Sequence, residues 1–199
     1  MKFIPILTAI LLSFGCFGQE ALIKNINTFE QANDFATENP ELEALVWSII
    51  PEIDPSNESG FFNGKKTGDV FNDGTLVYKV ISSKKITAHR VSYIYLDGNK
   101  LSMEAINKSR KTILEKYKSG TPFSDLAKEY TMDSNQTGDL NWFTDGMMVP
   151  EFEKAVKKHK LNDIFTIDIP ENKWYYVTLK TFNDKQFEEL ILLSLKKQQ

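Results

Sequence analysis

The 199-residue sequence predicts an α+β protein. Segments with helically spaced apolar residues alternate with segments rich in β-branched and aromatic residues. Over residues 89–182 the predicted order is one strand, three helices and two strands, which is typical of a small sheet with helices packed on it. The composition, 41% hydrophobic and 26% charged, is that of an ordinary globular protein.

Residues 1–18 are predicted to be a signal peptide. Lys2 precedes an apolar run over residues 3–14, which is too short to span a membrane and is followed by small residues. Cleavage after Gly18 is therefore expected, with export to the periplasm or cell envelope. Cys16 leaves a second interpretation open, in which a lipid attached to this cysteine anchors the protein. Plain cleavage is favoured because the residues before Cys16 fit a lipoprotein signal poorly.

Residues 19–88 are predicted to form a small N-terminal α+β region. A helix is expected to begin after Asn27 or Thr28, and a second helix is expected over residues 41–50. Further on, two strands flank a turn at Asn72-Asp73-Gly74, which predicts a hairpin. The helix and hairpin are spaced like elements later in the chain. This region is interpreted either as a degenerate half-copy of the second region or as a chance similarity.

The elements of residues 89–182 are each predicted by their own signals. Strands are expected over residues 91–96, 164–169 and 174–181, with a further strand near Trp142. Helices are expected to begin after Ser102, at Pro122 and near Pro150. The charged residues of 108–118 are expected to form a solvated helix surface. The tail over residues 183–199 is predicted to be an amphipathic helix.

Residues 120–152 carry an ordered series of features. An amphipathic helix is followed by a polar loop containing Asp133, then by Gly138-Asp139-Leu140, and then by Met147-Met148 and Phe152. This order resembles the parvulin family of peptidyl-prolyl isomerases, and the resemblance extends from about Arg90 to Thr181. It implies a β-α3-β-α-β2 fold for the second region.

The resemblance also implies a site. The pocket for a proline ring falls on Leu140, Phe143, Met148 and Phe152. The position that holds Cys or Asp in the family falls on Asp133, which is expected at the rim of the pocket. The two family histidines fall on Tyr93 and Tyr175. Asp133, Tyr93 and Tyr175 are therefore the candidate catalytic residues, and the two tyrosines are expected to lie together on adjacent strands, facing the floor of the site.

The function that the resemblance implies is isomerisation of X-Pro bonds in exported polypeptides. Rotation about a peptide bond costs about 18–20 kcal/mol because amide resonance is lost. A catalyst needs an apolar seat for the proline and polar groups that favour the twisted amide, so no metal or cofactor is expected. Because tyrosines replace both histidines, a non-catalytic peptide-binding chaperone on the same scaffold is the alternative.

The charge distribution limits the expected partners. A formal net charge of −3 argues against nucleic-acid binding, since a basic footprint is absent. No basic cluster follows the strand that ends at Leu96, so a preference for phosphorylated substrates is not expected. The expected partners are proline-containing polypeptide clients. A membrane is expected as a partner only if Cys16 is lipidated.

Overall fold

The structure, a computed structural model, describes residues 18–197. The predicted signal peptide, including Cys16, lies outside the described residues except for Gly18. Two compact units form: one contains residues 18–84 and 188–197, and the other contains residues 85–187. Among the described residues, no helix is both long and apolar enough to cross a membrane.

The described helices and strands follow one another along the chain. They are α1 (Gly18–Ile23), α2 (Phe29–Glu38), β1 (Leu45–Ile49), β2 (Val70–Asn72), β3 (Leu76–Asp97), α3 (Met103–Lys118), α4 (Phe123–Tyr130), β4 (Asp139–Thr144), α5 (Pro150–Val156), β5 (Ile164–Ile169), β6 (Trp174–Lys180) and β7 (Lys185–Lys196). Strand β3 contributes residues 76–84 to the first unit and residues 85–97 to the second.

The first unit contains a predicted hairpin and an unpredicted strand pair. The hairpin is confirmed, because β2 pairs with β3 from Val70 opposite Lys79 to Asn72 opposite Val77. The predicted helix over residues 41–50 is wrong, because β1 occupies Leu45–Ile49 and pairs with β7. The segment Leu-Val-Trp-Ser-Ile is rich in residues that favour strands, and its pairing with β7 decides the structure.

The predicted helix over the tail, residues 183–199, is also wrong, because β7 occupies most of this segment. Leu190 and Leu192 pack in one apolar cluster, whereas Leu193 and Leu195 pack in another. A strand sends alternate side chains to opposite faces, so a run that is buried on both faces is apolar throughout. Periodicity alone cannot separate such a run from a buried helix.

The second unit confirms the predicted α+β class. Its strands lie in the order β4-β3-β6-β5, and the neighbouring pairs are antiparallel. One apolar cluster joins β3 and β6 to α3 and α4. A second cluster joins the sheet to α5. The sheet of this unit therefore has a face covered by α3 and α4, here called the helix face, and a face that carries α5, here called the pocket face.

The helices of this unit begin where the sequence predicts. The Ser102 hydroxyl accepts a hydrogen bond from the Ala105 N–H at 3.3 Å, and α4 follows Pro122. Two helices lie between β3 and β4 rather than the three implied by the resemblance. Residues 131–138 form a polar turn instead, because short polar side chains there bond to neighbouring backbone groups.

The expectation that residues 108–118 form a wholly solvated surface fails at Arg110. This side chain is 7% exposed. Its Nη2 donates to the backbone oxygens of Ile167 at 3.1 Å and Tyr176 at 3.3 Å, and it pairs with the Asp168 carboxylate. Arg110 therefore ties α3 to both β5 and β6.

Candidate functional site

A partly open cavity of about 460 Å³ lies on the pocket face of the second unit. Strands β3, β4 and β6, helix α5, and the loops after α4 and before α5 all contribute to its lining. The lining residues are Tyr93, Tyr95, Asp133, Leu140, Met147, Met148, Val149, Phe152, Trp174 and Tyr176.

The apolar part of the cavity contains three residues that the sequence predicted. Leu140 comes from β4, Met148 from the loop before α5, and Phe152 from α5 itself. Phe152 is 4% exposed, so most of its ring is in the core and one part faces the cavity. The structure therefore brings Leu140, Met148 and Phe152 together in one pocket.

The loop that carries Asp133 is held against β3 at both ends. The Met132 N–H donates to the Tyr95 carbonyl at 2.9 Å, and the Tyr93 N–H donates to the Gly138 carbonyl at 2.8 Å. Gly138 has φ +71°. A Cβ at this position would lie 2.8 Å from the backbone carbonyl oxygen of Tyr93 and 2.8 Å from the Cβ of Ala127. A side chain at this position would force the loop away from β3.

Asp133 is a half-buried carboxylate that accepts three hydrogen bonds. Its Oδ2 accepts a hydrogen bond from the Tyr93 hydroxyl at 2.8 Å. Its Oδ1 accepts from the Thr131 hydroxyl and from the Asn135 N–H, both at 3.0 Å. All three donors are neutral. Asp133 therefore lines the pocket as predicted, and it also organises the loop that follows α4.

Three tyrosines surround the polar side of the pocket. The ring centroid of Tyr176 lies 5.8 Å from that of Tyr93, 5.5 Å from that of Tyr95 and 5.4 Å from that of Phe152. Burial raises the pKa of all three tyrosine hydroxyls, and the negative charge of Asp133 raises each pKa further. These hydroxyls consequently stay neutral at physiological pH.

The predicted pairing of Tyr93 with Tyr175 is wrong. Tyr175 is 8% exposed and packs on the helix face with Ile94 and Val177, where its ring lies 5.5 Å from the Arg110 guanidinium carbon. Successive residues of a strand point to opposite faces, so a displacement of one residue moves a side chain across the sheet. Tyr176, rather than Tyr175, faces the pocket beside Tyr93.

Phe143 was expected in the pocket wall and instead lies in the core. It is 1% exposed and does not line the cavity. Its ring packs 6.1 Å from that of Phe152 and 5.7 Å from that of His89. Phe143 and Leu140 both belong to β4, and a register shift opposite Arg90 and Ser92 of β3 interrupts the alternation of that strand, so both side chains pack in the cluster that contains Phe152. Phe143 supports Phe152 from behind.

Two features of the site are absent from the sequence prediction. Glu153 is 9% exposed, and its Oε1 accepts from the Gly146 N–H at 2.8 Å and from the Met148 N–H at 3.0 Å, which fixes the loop that carries Met148. An acidic residue in the first turn of a helix was the available signal. The aromatic wall formed by Tyr95, Trp174 and Tyr176 was also missed, because its side chains resemble ordinary strand residues in the sequence.

Fold and site together define a small α+β domain with a half-open apolar pocket bordered by a carboxylate and neutral hydroxyls. The family described as the PPIC-type PPIase domain matches residues 75–187, which is more than half of the chain. The chain therefore belongs to this family, and the predicted parvulin-like fold is confirmed.

Similar proteins include bacterial folding factors. The foldase protein PrsA of Caldanaerobacter subterraneus subsp. tengcongensis is 28% identical over 150 residues, covering 67% of this chain and 49% of the relative. The chaperone SurA of Legionella pneumophila is 26% identical over 182 residues, covering 85% of this chain and 41% of the relative. The crystal structure of PrsA from Bacillus subtilis has 31% sequence identity to this chain and a TM-score of 0.41, covering 48% of this chain and 35% of the PrsA chain. The chain spans about half the length of these curated relatives.

Proposed function

We propose that the second unit catalyses cis–trans isomerisation of X-Pro bonds in polypeptide clients and so assists their folding. The observation that carries the proposal is the convergence of Leu140, Met148 and Phe152 in one half-open pocket, with Asp133 and neutral tyrosines beside it. Membership of the PPIC-type PPIase family supports the same activity. The proline ring would occupy the apolar part, and its peptide bond would face the polar part.

The polar side of the pocket has the chemistry that bond rotation needs. A planar amide carries more negative charge on its oxygen than a twisted amide, because twisting removes the resonance between nitrogen and carbonyl. The Asp133 carboxylate therefore disfavours the planar state when the amide oxygen approaches it. Neutral tyrosine hydroxyls can donate hydrogen bonds as well as accept them. Groups that act on the twisted state more than on the planar state lower the barrier.

Exchange NMR on peptides with a single X-Pro bond tests the activity. Uncatalysed exchange takes tens of seconds or longer, so added protein should shorten it measurably. Met148→Ala should reduce the effect, because the pocket loses part of its apolar floor. Met103→Ala is the matched control, since Met103 is an exposed residue of α3 that does not line the pocket. Absence of exchange with the parent protein would reject catalysis.

The second candidate is a chaperone that binds peptides without turning them over. Two observations favour it: the Tyr93 hydroxyl is already bonded to Asp133, and Tyr175 lies on the other face of the sheet. This candidate predicts that peptides bind and that Met148→Ala weakens their binding, while exchange stays at the uncatalysed rate. Polypeptide clients are the proposed partners in both cases, with no requirement for phosphorylation.

We also propose that the protein is exported to the periplasm or cell envelope. Lys2 and the apolar run over residues 3–14 support a cleaved signal peptide. The intact mass of protein isolated from its native host should correspond to a chain that begins at Gln19. A mass that includes Met1 would contradict cleavage, and a diacylglyceryl group on Cys16 would establish the lipid-anchored alternative.

A further inference from the structure

The pocket contains more than a seat for a proline ring. Its apolar floor accounts for only part of a cavity of about 460 Å³. The remainder is an aromatic wall centred on Tyr176, with the rings of Tyr93 and Tyr95 less than 6 Å from it and Trp174 also in the lining. Asp133 is the one charged residue among those that line the cavity.

The charge of Asp133 has no cationic partner among the residues that the structure describes. Its oxygens accept from two hydroxyls and one backbone N–H. Two other aspartates of the second unit differ in this respect. Asp139 pairs with Arg90, and Asp184 pairs with Lys180 and His89. A half-buried carboxylate without a counter-charge favours a ligand that supplies one.

The aromatic rings also attract a positively charged group. The face of a neutral aromatic ring carries negative electrostatic potential and attracts a cation that lies within about 6 Å of the ring centre. A flexible cationic side chain could place its methylene groups on the rings and its charge near Asp133, as lysine and arginine do at other partly apolar surfaces. The same surroundings repel a negatively charged side chain.

We infer that this pocket selects polypeptide segments in which a lysine or arginine stands next to the proline. The cationic side chain occupies the aromatic wall beside Asp133, and the proline occupies the floor formed by Leu140, Met148 and Phe152. This inference rests on the proposed function, since it describes the substrates of the same site. It predicts that acidic and phosphorylated neighbours are the poorest substrates.

Two matched peptide series test the inference. In Ala-Xaa-Pro-Ala and Ala-Ala-Pro-Xaa, Xaa is lysine, arginine, norleucine or glutamate. Norleucine matches the lysine stem without its charge. In at least one series, kcat/KM for lysine and arginine should exceed that for norleucine by about fivefold to tenfold at low salt. The ratio should fall in about 1 M salt, where the screening length is about 3 Å. The kcat/KM for the glutamate peptides should be lower than that for the norleucine peptides.

Pocket variants identify the groups responsible. The readout is the lysine-to-norleucine ratio within each variant, so a general loss of turnover cancels. Asp133→Asn should bring the ratio close to one, whereas Asp125→Asn, a matched change at an exposed position of α4, should leave it unchanged. Tyr176→Phe should keep the preference because the ring remains. Tyr176→Leu should reduce it.

Peptide binding measured by NMR titration separates this inference from the proposed function. If the parent shows no turnover but binds lysine peptides more tightly than norleucine peptides, catalysis is rejected and the cation preference stands. If the parent turns over both peptides equally and binds them equally, catalysis stands and the preference is rejected. Equal or better use of glutamate peptides, or no binding of any peptide, would also overturn the preference.

Discussion

The two faces of the sheet in the second unit use neighbouring tyrosines for different purposes. Tyr175, on the helix face, is buried against Ile94 and Val177 and lies near Arg110. Tyr176, on the pocket face, stands in a half-open cavity with Tyr93 and Tyr95. Both are tyrosines of β6 and differ by one position. The face of the strand, rather than the residue type, decides which tyrosine is available to a ligand.

The comparison extends to the charged residues. On the helix face, Arg110 pairs with Asp168 and with backbone oxygens of β5 and β6, so its donors stabilise the fold. On the pocket face, the donors to Asp133 within the described part of the chain are all neutral. A charge that is paired within the protein contributes to structure, whereas a charge without a counter-ion remains able to act on a ligand.

The largest expected effects concern two phenylalanines of the pocket face. Phe152→Ala and Phe143→Ala should each lower the free energy of unfolding by about 3–5 kcal/mol, because both rings are buried. Peptide affinity should fall strongly only for Phe152→Ala, since Phe152 lines the cavity and Phe143 does not. Urea denaturation and peptide titration under folding conditions would check this. Equal losses of affinity would show that the pocket wall extends to Phe143.

The next largest effects are expected for changes at Tyr175 and Tyr176. Tyr175→Ala should lower the free energy of unfolding by about 3 kcal/mol, because it leaves a cavity in the helix-face core. The turnover of the molecules that remain folded should be unchanged. Tyr176→Ala, at a half-buried position, should cost less stability and should reduce turnover more. Denaturation curves paired with exchange NMR measure both quantities. The reverse pattern would contradict the assignment of the two faces.

A smaller effect is expected at the bond between Tyr93 and Asp133. Asp133→Ala should cost about 1–3 kcal/mol of stability, because three donors lose their acceptor. Tyr93→Phe removes one hydrogen bond and should cost about 1 kcal/mol. The double variant should cost less than the sum of the two single changes, as a double-mutant cycle would show. Additive effects would mean that the two groups do not interact in solution.

The smallest effect concerns the acid side of the stability profile. The hydrogen bond from Arg90, with its positive charge, holds the pKa of Asp139 below its usual range. The folded pKa is thus lower than the unfolded pKa, so this contribution is present above the unfolded pKa and is lost as the pH falls through the folded pKa. In Asp139→Asn, the free energy of unfolding should fall less steeply as the pH drops below about 4, by up to about 1 kcal/mol. A profile identical to that of the parent would show that the pair adds nothing.

Much of the second unit follows from local sequence signals. The hydroxyl of Ser102, the proline before α4 and the proline at the start of α5 each act within a few residues, so the helix starts could be predicted. The strand of β5 was predicted at its observed limits, Ile164–Ile169. Asn141 has φ +61°, a left-handed conformation that asparagine enters more readily than most residues because its short polar side chain can bond locally.

Other features depend on contacts between residues that are distant in the sequence. The tail forms β7 because β1 pairs with it across more than 140 residues, and no local signal reports that partner. The burial of Arg110 likewise depends on acceptors more than 50 residues away. These strand pairings and hydrogen bonds form only when the chain has folded, so the periodicity of a short apolar run does not predict them.

The sequence by itself determined the order of strands and helices in the second unit, the apolar residues of the pocket floor and the presence of Asp133 beside them. Tertiary structure alone decided which side chains meet. The register Tyr95 opposite Tyr176 places Tyr176 in the pocket and Tyr175 in the opposite core. Strand side chains alternate with a period of two, so an error of one residue reverses the face. Register is set by pairing across the whole sheet, and the residue types of β6, in which tyrosines stand side by side, do not encode it.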